Sequence, residues 1–384
     1  MVYDFVTEGA PRGTNSVKWD KRPGVLPMWV AEMDFKVAPF IVDAVRARVD
    51  AAVFGYTLVP PGYYDSVIRW FRKRYGWNID REQIMPVSGI VPATSIAVKA
   101  LTRPGDKVVM FTPAYNCFFH NITNQDAVIR ASKLVWNGDA RRYEVDWDDF
   151  ESAVADEGTK AFLLCNPHNP CGRLWSEGEL RRMGEICGTH GVPVISDEIH
   201  CEIAAPGTSC IPFATLFPQN SISFVSPTKP FSIPGLEIAN IISANEDFRA
   251  RMDRVINIWE HCDVNQLGVV ALQAAYTPEG EDWLAQMNEV VHRNFLDLRD
   301  CFAAEFPEVR VATLEATYLE WLDFSGLGLK GKQIEEHLLE HQKLWINAGD
   351  IYGDPYCMRI NVACPRSTMK KALELYVQGL HELL

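Results

Sequence analysis

Three short apolar runs are each followed at once by a dense polar cluster, and this repeated juxtaposition constrains the chain more than any other feature. Ala161-Phe-Leu-Leu-Cys165 opens onto Asn166-Pro-His-Asn-Pro-Cys-Gly-Arg173, Val192-Pro-Val-Ile-Ser196 onto Asp197-Glu-Ile-His200, and Ser221-Ile-Ser-Phe-Val225 onto Ser226-Pro-Thr-Lys-Pro-Phe231. A fourth run, Lys107-Val-Val-Met-Phe111, precedes them, and helical stretches such as Ser176 to Gly188 lie between. Buried strands alternating with helices predict a mostly parallel α/β sheet. Such sheets bind ligands beyond the carboxyl ends of their strands, where these clusters fall.

Beyond about residue 275 the pattern changes to long amphipathic helices, Trp283 to Glu305 and Lys332 to His341, with strands at Ala316–Leu322 and Cys357–Val362. A chain of 384 residues exceeds one ordinary core. We therefore expect an N-terminal arm (1–45) that contributes to a small domain, a large domain (46–275) and a C-terminal small α+β domain (276–384). With 37 basic against 50 acidic residues the net charge is −13, which disfavours nucleic acid and anionic membranes as partners. The ten cysteines contain no C-x-x-C pair, so a zinc site is not expected, and no apolar run approaches a membrane span. The N-terminal residues have neither a basic nor an apolar signal region, which points to a reducing, cytoplasmic setting with free thiols.

Taken singly, the polar residues are ambiguous. Lys229 reads as a solvated loop lysine or as a nucleophilic or Schiff-base amine in an enclosed cleft. Asp197 reads as a helix cap or as a buried carboxylate in need of a cation. Asn169 reads as Asn-Pro turn chemistry or as an amide aimed at a ligand. At three successive strand ends of one sheet, however, they converge on one crevice.

These segments, together with Trp29-Val-Ala-Glu-Met-Asp34, Glu315-Ala-Thr-Tyr-Leu-Glu-Trp-Leu-Asp323 and Arg359-Ile-Asn-Val-Ala-Cys-Pro-Arg366, resemble fold-type I pyridoxal 5′-phosphate (PLP) enzymes of the class I/II aminotransferase superfamily. More narrowly they resemble its MalY/PatB-like cystathionine β-lyase branch. The resemblance implies a large domain with a mostly parallel seven-stranded sheet plus a smaller α+β domain. It implies that Lys229 carries the cofactor as a Schiff base, that Asp197 pairs with its pyridine nitrogen, and that Asn169 bonds its ring oxygen. His200 would supply a second contact to that oxygen, and Tyr115 would stack on the ring. The phosphate would rest on Gly89, Ile90 and Val91, where a helix opens, with Ser226 and Thr228 adding hydroxyls. Tyr56 would reach that phosphate and the substrate across a homodimer interface. Arg359 would hold the substrate carboxylate by a bidentate fork, with Asn169 beside it. Trp29 to Asp34 would line the entrance.

One departure from the wider superfamily is Glu237, which stands where many aminotransferases carry a phosphate-binding arginine. The activity implied is α,β-elimination of cystathionine or another S-substituted cysteine to a thiol, pyruvate and ammonia. An aminotransferase is the alternative, and a non-enzymatic regulator on the same fold a more remote one.

Two motifs invite other readings. Gly326-Leu-Gly-Leu-Lys-Gly331 matches G-x-G-x-x-G, but too little chain follows for a nucleotide-binding half, so a loop is expected. His337 and His341 share a helix face without a third metal ligand near in sequence, so a solvated face is expected.

Overall fold

The computed structural model describes residues 1–9 and 11–384. Its centre is a seven-stranded sheet: β1 (Ile84–Val87), β2 (Lys107–Thr112), β3 (Val128–Lys133), β4 (Thr159–Cys165), β5 (Val194–Asp197), β6 (Ser221–Val225) and β7 (Ala239–Ile242). The spatial order is β1-β7-β6-β5-β4-β2-β3. Only β7 runs against its neighbours, β1 and β6; the other four pairings are parallel.

The central strands are apolar on both faces because both are covered. Val108, Met110, Leu163 and Ile195 join one core with the helix α1 (Ile90–Leu101), whereas Val109, Phe111, Phe162 and Leu164 join another with Trp175, Leu180 and Met183. This is the burial expected of a parallel sheet between helix layers. The predicted Ser176–Gly188 helix is α3 (Glu177–Thr189), following α2 (Asn116–Thr123). Ser176 caps α3 through a reciprocal capping box with Glu179, which satisfies two amides of its first turn.

A second, antiparallel sheet holds β8 (Arg310–Val311), β9 (Leu319–Asp323), β10 (Asn347–Ala348) and β11 (Cys357–Asn361) in the order β8-β9-β11-β10. It packs with α4 (Pro278–Glu305) and α5 (Arg366–Leu383). The N-terminal arm belongs to the same core. Tyr3, Phe5, Met28 and Met33 are buried there, and Leu26–Pro27 pairs with Leu344–Trp345.

The glycine-rich motif is a short turn, Ser325–Leu327, closed by Gly328 in the left-handed region (φ 68°). Gly331 then starts a helix where an added Cβ would lie 2.3 Å from the Cys357 carbonyl, so that glycine serves close packing. His337 and His341 lie with ring centroids 4.5 Å apart, and His337 approaches Glu382 at 3.4 Å. All ten cysteines are free thiols.

Candidate active site

Sheet register brings the sequence-predicted residues together. Asp197 ends β5, opposite Cys165 of β4 on one side and Phe224 of β6 on the other. Asn169 and Lys229 follow β4 and β6, so all three issue from adjacent strand ends. They line one cavity of about 550 Å³, together with Gly89, Ile90, Val91, Tyr115, His200 and Thr228.

Asp197 forms no helix cap. Its Oδ1 accepts from the Ile199 amide at 3.1 Å in a turn, and its side chain is buried. Burial pushes its pKa up to about 7, against the opposing pull of that amide and of the Lys229 charge. A carboxylate held this way gains most from a cation brought to it.

Lys229 donates to the Ala31 carbonyl at 2.7 Å and is partly exposed on the cavity wall. Enclosure by protein, and then the positive charge of Arg359, lower its pKa to about 8. A substantial fraction of this amine is therefore neutral near physiological pH. His200 is neutral for the same reasons: burial, then the charges of Lys229 and Arg359, hold its pKa at about 3. Its Nδ1 has no hydrogen-bond partner among the described residues. Its ring stands edge-on to Tyr318 at 5.7 Å.

Arg359 enters from β11 and is buried. Nη1 donates to Asn169 Oδ1 at 3.2 Å and Nη2 to the Trp29 carbonyl at 2.9 Å, while the guanidinium lies 4.5 Å over the Tyr352 ring. It forms no ion pair among the described residues, and its Nε is unpartnered. This bond also orients Asn169: its oxygen is occupied by Arg359, which leaves the amide hydrogens as donors to a ligand.

At the other end of the cavity Gly89 precedes α1 with no side-chain cap. The amides of Ile90 and Val91 have no partner within the helix, and Pro92 has no N–H, so the helix start is an open anion cradle. Tyr115 lines the wall, edge-on to Phe118 at 5.7 Å.

The structure places three further sequence-predicted groups. Ser226 is buried off the cavity wall, and its hydroxyl donates to the Ile238 carbonyl at 2.7 Å. The Thr228 hydroxyl, 2.7 Å from Ser226 Oγ, must then donate to Ser226, so neither hydrogen faces the cavity as a free donor. Tyr56 is 95% exposed and is not part of its own chain's cavity. Trp29 does more than border an entrance, since its carbonyl anchors both Arg359 and Asn347.

Contacts that the sequence did not announce include His261 and Pro234 on the cavity wall, with Ser88 Oγ 2.6 Å from His261 Nε2. Glu237 also borders the cavity, in the left-handed region at φ 47°.

The residues fit PLP. A buried carboxylate lacking a cation, an amide with free hydrogens, a lysine of lowered pKa and an uncapped helix start match a pyridinium, a phenolate, an aldehyde and a phosphate in turn. Fold and site together define an α/β enzyme of lysine-bound carbonyl chemistry. The chain belongs to the aminotransferase class I and II family, whose model matches residues 25–375.

Cystathionine β-lyase PatB of Bacillus subtilis is 36% identical over 372 residues, covering 94% of this chain and 95% of the relative. Cystalysin of Treponema denticola, which contains a pyridoxal 5′-phosphate cofactor, superposes with a TM-score of 0.95 at 32% identity, with all of both chains covered. The PLP-bound C-S lyase of Staphylococcus hominis does so with a TM-score of 0.92 at 33% identity, over 99% of this chain and 98% of that one.

Proposed function

We propose that this protein is a PLP-dependent carbon–sulfur β-lyase that cleaves L-cystathionine or another S-substituted L-cysteine to a thiol, pyruvate and ammonia. The observation that carries this reading is the convergence of Lys229, Asp197 and Asn169 on one cavity, with Arg359 bonded to Asn169 and buried without a counter-anion. Full-length similarity to lyases of this type selects elimination over amino transfer.

Lys229 would hold the cofactor and, once displaced by the substrate amine, take the α-proton, a task suited to an amine whose pKa is about 8. When bound, PLP supplies an electron sink for the charge left on the α-carbon. Asp197 would keep the pyridine nitrogen protonated, Asn169 would donate to the ring oxygen, and His200, neutral and short of a partner, would add a second contact there. Tyr115 would cover a ring face. Arg359, braced by the Trp29 carbonyl and Asn169, would fix the substrate carboxylate with two parallel bonds. The strap from Trp29 to Asp34 is tied down by Asn361 Nδ2, which donates to the Val30 and Glu32 carbonyls at 2.7 and 2.6 Å, and would exclude water from that side.

The working unit in this reading is a homodimer. Val53, Phe54, Tyr56 and Leu58 form an exposed apolar run, the kind of surface a partner subunit covers, and Tyr56 would cross to the phosphate of the neighbouring site. In this reading the chain divides into an arm, a large domain and a small domain at 45 and 275, supported by one principal sheet lying in each of the two domains. No helix among the described residues is long and apolar enough to cross a membrane, and the reading places the enzyme in the cytoplasm.

The test is pyruvate release from L-cystathionine by the purified protein with PLP and no 2-oxo acid. Sustained release is expected. Turnover only on addition of a 2-oxo acid would make the protein an aminotransferase.

A further inference from the structure

The phosphate end of the cavity has an electrostatic deficit. Glu237, an exposed residue on the cavity wall, brings a carboxylate and no cation to the position where the wider superfamily carries a phosphate-binding arginine. The Ser226 and Thr228 hydroxyls have their hydrogens committed to each other and to Ile238. Of the side chains lining the cavity, three can carry positive charge: Lys229, occupied in holding the aldehyde; His200, buried and neutral among cations; and His261. His261 is half-buried, and its Nε2 lies 2.6 Å from Oγ of Ser88, the residue before the helix-opening Gly89.

We propose that His261, together with Ser88, is a phosphate-binding element of this site and supplies the charge that position 237 lacks. The inference rests on the PLP reading above. Ser88 has one hydroxyl hydrogen. With a neutral imidazole accepting at Nε2, that hydrogen is spent on His261. With His261 protonated, Nε2–H donates to Ser88 Oγ, and the serine hydrogen is released to a phosphate oxygen beside the Gly89, Ile90 and Val91 amides. The contact also joins two distant parts of the chain, the turn before α1 and the segment after the helix Glu246–Ile258, so the site's charge and its geometry depend on one bond.

The experiment compares PLP with pyridoxal, which lacks the phosphate. Full-length protein stripped of cofactor is titrated with each, and dissociation constants are read from the visible absorbance of the bound ligand. His261→Ala is expected to weaken PLP on the order of tenfold or more while leaving pyridoxal affinity unchanged, and Ser88→Ala to show the same selective loss. Equal weakening of both ligands, or no change in either, would overturn the assignment. His261→Gln, which keeps a donor near Ser88 but no charge, is expected to recover only part of the PLP affinity. Full recovery would show that charge is not supplied there and would overturn the proposal. If the unaltered protein binds neither ligand, the cofactor reading itself fails and the inference with it; selective binding of PLP by wild type without any effect of these variants sinks the inference alone.

Discussion

Two buried aspartates, Asp34 and Asp197, sit in opposite electrostatic situations. Burial raises the pKa of both. Around Asp34 every demand is met: Lys18 lies 2.8 Å away, the Trp19 indole donates at 2.9 Å, and Lys18 also donates to the Glu32 carbonyl at 2.7 Å. Around Asp197 a single amide donates, and no ion pair forms among the described residues. Saturated buried charge holds the strap in place; unsaturated buried charge marks a site completed by a ligand. The same contrast separates Arg173, which is buried and paired with Glu179 and Glu315 at 2.5 Å each, from Arg359, which is buried and unpaired.

The contrast can be broken by substitution. On the unsaturated side, Lys229→Ala is expected to lower turnover by about 10²–10⁴-fold from lost proton transfer alone, with thermal stability nearly unchanged. Steady-state pyruvate assays and thermal melts check both halves, and a variant that unfolds would place Lys229 among the structural charges. On the saturated side the opposite is expected: Lys18→Met should cost about 3–5 kcal/mol of stability by stranding Asp34, and Lys18→Met with Asp34→Leu should recover part of it. Denaturant titration reads this. A Lys18→Met protein as stable as wild type would erase the distinction.

Smaller effects sharpen the comparison. Arg359→Lys retains a charge but loses the fork, about 1.5–3 kcal/mol for a hydrogen bond to a charged group, and should raise KM roughly ten- to a hundredfold while the cofactor spectrum stays intact. The smallest signal is a pH slope. In protein without cofactor, the Asp197 carboxyl has a folded-state pKa of about 7 against an ordinary 3.8, so the folded state binds the proton more tightly. The stability it contributes is complete below about 4 and is lost as pH rises toward 7. Stability measured across that window should fall in wild type relative to Asp197→Asn, and parallel profiles would show that Asp197 is not held as described.

What could be read in the sequence was what local chemistry writes into consecutive residues. Strands β2, β4, β5 and β6 are apolar on both faces, and the last three end in polar clusters, so runs and site residues were visible together. The remaining strands of the sheet escaped notice for physical reasons. Val128-Ile-Arg-Ala-Ser-Lys133 is a largely exposed edge, β1 carries Pro86, which only an edge strand tolerates, and β7 is four residues long with a buried Asn240. Within the site, Lys229, Asp197 and Asn169 announced themselves by position at strand ends, and Arg359 only through the family resemblance of its segment. The fate of the Ser226 hydrogen did not, because it depends on a carbonyl twelve residues away. Nor did the Ser88–His261 pair, 173 residues apart, or the Trp29 carbonyl on Arg359, 330 residues apart, since no local pattern encodes which backbone oxygen a distant side chain will meet.

The central claim is that the lysine at the end of β6, among the unsaturated groups, carries the cofactor. Borohydride reduction of the PLP-loaded protein, followed by digestion and mass spectrometry, tests it directly. The account predicts one pyridoxyl-phosphate adduct per chain, on the peptide containing Lys229. An adduct on another lysine, or none, would contradict it.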